Sequence, residues 1–329
     1  MNFTLVICTY MRPQSLLALL NSVNTQTLYP NEILIIDGST NNETEQILKG
    51  NTFNNLEYFK VNDDQRGLTK QRNFGIEHVS ESSEIVCFLD DDTVLNFNYF
   101  EILIDTYKQF PKALGVGGYI SNEVYWQKTQ DENSNKKFVF DGWERNEPLR
   151  FRARKFLGLE PDTNPCIFPK FAHGRSISFL PPSGNIYEAE QFMGGVSSFR
   201  KEVFEKIGFS TYFEGYGLYE DADFTLRLSK LGKLYVNTAA QLQHYHDNSG
   251  RPNKFVYGKM VARNGWYVWR VSNPNPSFKI RIKWNATFVL LMKLRGLNVF
   301  TTSNRVEALT EVLGRAYGWL TLIFNKPKL

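Results

Sequence analysis

Short runs of β-branched and aliphatic residues recur early in the chain, at 4–8, 32–36, 56–61 and 85–89. Each is too short for a helix and closes on polar or turn-forming residues, so each predicts a strand. Between the first two, Pro13 stands where a helix starts without forfeiting a hydrogen bond, and Leu16, Leu17, Leu20 and Val23 then return to one face. Strand and helix in alternation predict an α/β fold with a mostly parallel central sheet flanked by helices. Ligands bind such sheets beyond the carboxyl ends of the strands. The residues in those places are Thr9-Tyr10-Met11-Arg12-Pro13, Asp37-Gly38-Ser39-Thr40, Asp63-Asp64 and Asp90-Asp91-Asp92-Thr93. Carboxylates gather at one edge.

The pattern changes after this region. Residues 121–190 mix Asn, Pro and charged side chains around Trp126 and Trp143, which reads as a long, loop-rich insertion. Residues 191–199 are Gly-rich and apolar, 201–207 and 221–231 have helical spacing, and 233–236 reads as a further strand. Beyond 251, amphipathic helices are expected around 255–269 and from Val306 through Leu309, Val312, Leu313, Tyr317 and Leu320. Residues 278–294 alternate at first and then become continuously apolar, which leaves strand and helix both open. The expected organisation is one large domain over 1–250 carrying the insertion, followed by a mainly helical extension over 251–329.

With 329 residues, 42% hydrophobic and 22% charged, the chain has ample material for a folded core. Its net charge of +4 hides a division. Up to Gly250 there are 24 basic and 32 acidic residues; from Arg251 onward 14 basic residues face only Glu307 and Glu311. Such a basic region implies an anionic partner, a membrane leaflet or nucleic acid. Four of the six tryptophans, Trp266, Trp269, Trp284 and Trp319, lie there, and basic side chains interleaved with aromatics favour an anionic bilayer surface over nucleic acid. Cys8, Cys87 and Cys166 are odd in number and widely spaced, as buried thiols of a reducing compartment are. The start lacks the pattern of an export signal, and apolar runs never reach the roughly 18 residues that cross a bilayer. A cytoplasmic protein, peripheral on the inner face of the membrane, is expected.

Three consecutive carboxylates at Asp90, Asp91 and Asp92 repel one another unless a cation sits among them. Hard oxygen ligands suit Mg2+ or Mn2+, which keep positions open for water and substrate phosphates. A Gly-x-Gly-x-x-Gly fingerprint and a Gly-Lys-Ser/Thr phosphate loop are both missing, which excludes dinucleotide and ATP-hydrolysing readings.

In order and spacing these motifs resemble the family 2 inverting glycosyltransferases of the GT-A fold, a Rossmann-like architecture. The similarity runs from Cys8-Thr9-Tyr10 and Arg12-Pro13, through Ile36-Asp37-Gly38-Ser39-Thr40, Gly67 and Arg72-Asn73-Phe74-Gly75, to Asp90–Asp92. It continues with Gly194-Gly195 ahead of Phe199-Arg200, and Glu220-Asp221-Ala222-Asp223-Phe224 before Arg227. The resemblance implies that Thr9, Tyr10 and Arg12 line a nucleotide pocket and that Asp37 accepts a hydrogen bond from the base. Arg72 and Asn73 would approach the diphosphate or ribose, and Asp90 or Asp91 the ribose hydroxyl or a metal-bound water. Asp92 would ligate the metal, with Asp90 close by and His244, then His246, as the completing histidine. Gly194 and Gly195 would line the sugar and acceptor site, Asp221 would be the general base and Glu220 its orienting partner. The cofactor implied is Mn2+ or Mg2+. The partners implied are a nucleotide-sugar donor, UDP-linked by preference, and a glycan or lipid-linked acceptor, with 251–329 against an anionic membrane.

The Gln-x-x-Arg-Trp element of processive polysaccharide synthases is absent, which favours single-sugar transfer over polymerisation. A sugar nucleotidyltransferase is the rival enzyme, but the Gly-rich basic loop usual after its first strand is missing. A non-catalytic membrane- or glycan-binding protein would leave the acidic edge idle and work through the basic region.

Overall fold

The computed structural model describes residues 1–129, 136–213, 215–246 and 252–329. The chain opens β1 (Phe3–Thr9), α1 (Pro13–Asn24), β2 (Glu32–Asp37), α2 (Glu43–Lys49), β3 (Leu56–Lys60), α3 (Leu68–Glu77) and β4 (Ile85–Asp90). It continues with β5 (Thr93–Leu95), α4 (Tyr99–Gln109) and β6 (Gly115–Ile120). The insertion holds β7 (Gln127–Lys128), β8 (Lys137–Phe140), β9 (Trp143–Asn146) and α5 (Leu149–Phe156). Then come β10 (Ile186–Ala189), β11 (Val196–Arg200), α6 (Glu220–Leu228) and β12 (Leu234–His244). Three helices finish the chain: α7 (Lys254–Ser272), α8 (Phe278–Thr301) and α9 (Arg305–Phe324).

The main sheet has the order β10-β12-β6-β11-β4-β1-β2-β3, with β5 added on β12. Strands β3, β2, β1 and β4 are mutually parallel, and β6 is parallel to β12; β11 runs antiparallel between β4 and β6. Six of the nine strands therefore point the same way, and β1, β2, β4 and β12 end at one edge. The first four strands begin and end within one residue of the sequence expectation. β1, β2 and β4 are legible because a parallel strand covered on both faces reads as a nearly unbroken apolar run, whereas β3 lies half-exposed at the sheet edge. On one face Phe3, Leu5 and Ile7 pack among Leu16, Leu19 and Leu20 of α1 and Phe100, Leu103 and Ile104 of α4. Burial of each such side chain contributes roughly 1.5–3 kcal/mol. On the other face α3 comes close through Gly75, where a β-carbon would lie 2.6 Å from Val6 Cγ1.

Two expectations are corrected and one open alternative is resolved. The strand read at 233–236 runs on to His244, with an irregular register between Val236 and Gln241. Asn237 and Thr238 disguise it: Asn237 Nδ2 donates to Thr106 Oγ1 at 2.8 Å and its Oδ1 accepts from Ala239 N, so a buried polar break is satisfied inside the strand. The stretch 201–207 forms only a 3-10 turn over Lys201–Glu205. The ambiguous 278–294 belongs to the 24-residue helix α8. Strands β7, β9 and β8 make a small antiparallel sheet inside the insertion.

Contacts divide the chain into two compact units. One comprises Met1–Trp126 with Ser176–Gly250, the other Gln127–Arg175 with Arg251–Leu329. The boundary expected at 250/251 lies outside the described residues. In the second unit α7 and α9 meet along glycines: a β-carbon on Gly258 would lie 2.1 Å from the Glu311 carbonyl oxygen, and one on Gly314 2.1 Å from that of Phe255. Cys8, Cys87 and Cys166 are free thiols. Among the described residues no helix is long and apolar enough to cross a membrane.

Candidate active site

The site grows from strand ends. Asp90 is the last residue of β4, so Asp91 and Asp92 turn out beyond the sheet next to the end of β1. Thr9 Oγ1 donates to Asp91 Oδ2 at 2.7 Å, and Arg12 Nη1 donates to Asp91 Oδ1 at 3.0 Å and Asp92 Oδ2 at 3.4 Å. Asp91 is 3% exposed, and burial pushes its carboxyl up to about 7 although Arg12 and Thr9 pull the other way. Tyr10 remains exposed beside them.

Strand β5 returns antiparallel against the end of β12, pairing Thr93 with His244. This register carries His244 Nε2 to 2.9 Å from Asp92 Oδ1. Burial opposes a charge on this imidazole, but its hydrogen bonds to Asp92 and Glu123 outweigh burial and raise its pKa to about 10. Asp90, Asp92 and His244 each offer one ligand atom, all within 4.8 Å of one another. Two hard carboxylates and one imidazole fit Mn2+ and also accommodate Mg2+. His246 is placed elsewhere: its Nε2 meets Glu123 Oε1 at 3.0 Å, and Glu123 also faces His244 Nδ1 at 3.3 Å.

Glycine shapes the floor. A β-carbon on Gly195 would lie 1.9 Å from Asp90 Cγ, and one on Gly194 2.5 Å from Arg72 Nη1 and 2.7 Å from Glu220 Oε1. The bare backbone thus lets Asp90, Arg72 and Glu220 close on β11. Arg72 is buried over the rings of Phe88 and Phe209, pairs with Glu220 Oε1, and has Asp90 Oδ1 at 3.7 Å. Burial raises the Glu220 pKa while Arg72 pulls against it. Its second oxygen, Oε2, is buried with no hydrogen-bond partner, a costly arrangement for an acceptor. Next to it, Asp221 accepts from Ala222 N at 2.7 Å and Gly194 N at 3.3 Å, and burial raises its pKa.

Two of the expected site residues hold bonds within the protein. Asp37 is fully buried, its oxygens accepting from Ser39 N and Tyr58 Oη, both at 2.8 Å. Its carboxylate thereby braces the loop after β2. The Asn73 side chain is spent on the backbone of Phe209, donating to its oxygen at 2.9 Å and accepting from its nitrogen at 3.0 Å. Beyond Ser39 and Thr40 lies a cleft of about 670 Å³, also lined by Lys60, Asn62, Asp63 and Arg66.

Sequence reasoning missed Glu123, Tyr58 and Gln71, and named Ser39 only as part of the motif after β2. Gln71 Nε2 donates to the carbonyls of Thr9 at 3.1 Å and Ile36 at 2.8 Å, tying together the ends of β1 and β2. Gln71 adjoins the Arg72-Asn73 motif and could have been drawn from it. Glu123 had no local signal, because its partner His244 is 121 residues away.

The fold is a GT-A-like, mostly parallel sheet with a cluster of Asp90, Asp92 and His244 at its carboxyl edge. Residues 4–172, just over half of the chain, match the family described as "Glycosyl transferase family 2". The chain belongs to that family. Residues 174–247 match "N-terminal domain of galactosyltransferase". A glucosyl-dolichyl phosphate glucuronosyltransferase of Haloferax volcanii is 30% identical over 149 residues, 40% of this chain and 46% of that protein. The match thus spans less than half the length of this curated relative. Among solved structures, TarS of S. aureus is similar with a TM-score of 0.48 at 15% identity, covering 92% of this chain and 45% of TarS. The structure of TarS 1–349 in complex with UDP gives 0.49 at 15% identity, covering 92% of this chain and 73% of that one.

Proposed function

We propose that this chain transfers a single sugar from a nucleotide diphosphate sugar, a UDP-sugar first, to a hydroxyl of a glycan or lipid-linked acceptor, with inversion at the anomeric carbon. One convergence carries the reading: Asp90, Asp92 and His244 lie within ligand reach of one another, while Asp90 rests on Gly195 and Asp221 on Gly194. The cleft beyond Ser39 and Thr40 takes the base, and its hydroxyl, amide and carboxylate groups suit a pyrimidine imide. Arg12 lies against Asp91 and Asp92, where a guanidinium serves diphosphate oxygens. A divalent cation held by Asp90, Asp92 and His244 would supply Lewis-acid neutralisation of charge on the departing diphosphate.

Asp221 takes the proton from the acceptor hydroxyl, and its raised pKa brings it closer to the working range of a general base. The acceptor oxygen then bonds to the anomeric carbon from the face opposite the diphosphate. The carbon–oxygen bond to phosphate breaks, and its electron pair leaves with the nucleoside diphosphate. Glu220 Oε2, the buried acceptor without a partner, receives a sugar or acceptor hydroxyl. The dolichyl-phosphate-linked glucose in the name of the Haloferax relative supports a lipid-linked acceptor. Residues 251–329 form the contact with an anionic membrane face, on the cytoplasmic side.

The test is nucleotide release from a panel of donor sugars with manganese. Asp221→Asn should lower transfer by about 100-fold or more while nucleotide affinity stays within a few-fold. Absence of release from every donor, with and without manganese, would sink the enzyme reading; loss of nucleotide binding in the variant would make Asp221 structural.

A further inference from the structure

His244 presents two nitrogens to two different carboxylates. Nε2 faces Asp92 Oδ1 at 2.9 Å, within the set assigned above to the catalytic cation. Nδ1 points the other way, to Glu123 Oε1 at 3.3 Å, and His246 Nε2 reaches that same oxygen at 3.0 Å. The two imidazole rings lie with centroids 4.1 Å apart. Holding His246 there requires a left-handed backbone, φ 48°, which is uncommon for a residue other than glycine. Asn122 braces the opposite histidine: its Oδ1 accepts from His244 N and its Nδ2 donates to the His244 carbonyl, both at 3.0 Å.

We propose that Glu123, His244 Nδ1 and His246 Nε2 form a second cation site, sharing only His244 with the aspartate set, that takes a borderline-soft transition metal such as Zn2+. These three side chains offer ligand atoms within 4.8 Å of one another. Ligands held at about 2.0–2.1 Å around tetrahedral zinc lie about 3.3 Å from each other, close to the two separations found at Glu123 Oε1. Two imidazoles and one carboxylate prefer zinc to magnesium, while the aspartate-rich set prefers the harder ion. Asp92 completes the arrangement as a carboxylate accepting from the far nitrogen of a metal-bound histidine, which fixes its tautomer. Histidine 244 also couples the two positions. A neutral imidazole has one lone-pair nitrogen, so His244 ligates either the rim metal through Nδ1 or the aspartate-set metal through Nε2.

The experiment is zinc titration of the full chain against a chromophoric chelator, without donor or acceptor, so its outcome does not depend on the transferase reading. His246→Ala and Glu123→Gln should each weaken one zinc equivalent by about ten-fold or more, whereas Asp90→Asn should leave that equivalent intact. His246→Gln serves as a second, less invasive variant at an exposed position. Unchanged zinc affinity in the Glu123 and His246 variants overturns the proposal, as does loss of the equivalent in Asp90→Asn, which would put zinc in the aspartate set.

Discussion

Gly195 matters for the side chain it lacks. The Asp90 carboxyl occupies the space a β-carbon would fill, with Asp90 Cγ only 1.9 Å from that point. Gly195→Ala must therefore swing Asp90 out of the ligand set, and a shift of about 1 Å in a reacting constellation costs on the order of 100-fold in rate. Steady-state kinetics beside thermal unfolding would show this as lost turnover with the fold retained; wild-type turnover would remove Asp90 from the machinery. At this scale the local clusters were legible. Asp90 to Asp92, Gly194-Gly195 and Glu220-Asp221 are unusual runs at strand ends and at a helix start. Asp37 and Asn73 show what such reading leaves out, because a residue's type does not reveal which partners inside the fold its side chain also holds.

Among the elements, α9 forms the helix expected from Val306 to Leu320. Its apolar residues Val306, Leu309, Leu313, Tyr317 and Leu320 have helical spacing but are exposed, while Ala308, Glu311, Gly314 and Gly318 are buried. The helix buries its small residues against α7 because only they permit backbone contact. Gly314→Ala should accordingly destabilise the protein by about 1–3 kcal/mol, the usual cost of overpacking, since the Phe255 carbonyl oxygen cannot rotate away. Gly296→Ala, where a β-carbon meets open space, is the control and should be neutral or stabilising by up to about 1 kcal/mol. Equal denaturation midpoints for the two variants would refute the close seam. Periodicity thus predicted the helix but did not say which face is buried: hydrophobicity marks surface that gains from leaving water, and size decides which surface fits.

For the whole molecule, charge and exposed apolar surface coincide in sequence. Residues 251–329 carry 14 basic side chains against two acidic ones, and α9 leaves Phe324 90% and Val306 78% exposed. A cationic region with an uncovered apolar stripe suits an anionic bilayer. The chain should float with vesicles rich in anionic lipid at low ionic strength, stay behind with neutral vesicles, and release at high salt as screening shortens the range of attraction. Leu313→Asp should weaken flotation without disturbing nucleotide release. Flotation indifferent to lipid charge would discard the membrane contact.

The amino-acid order alone determined the α/β class, four strands of the parallel half-sheet, the acidic turn and the Glu-Asp pair, because each is written in neighbouring residues whose spacing matches a strand or a helix. Tertiary structure decided that His244 meets Asp92 across the β5–β12 pairing, that Glu123 joins both histidines, and that Asp37 serves Ser39 and Tyr58. Apart from Ser39, which is two residues from Asp37, those partners lie from 21 to more than a hundred residues apart. Distance along the chain carries no record of which strand edge will bring two side chains together; only the closed sheet fixes it.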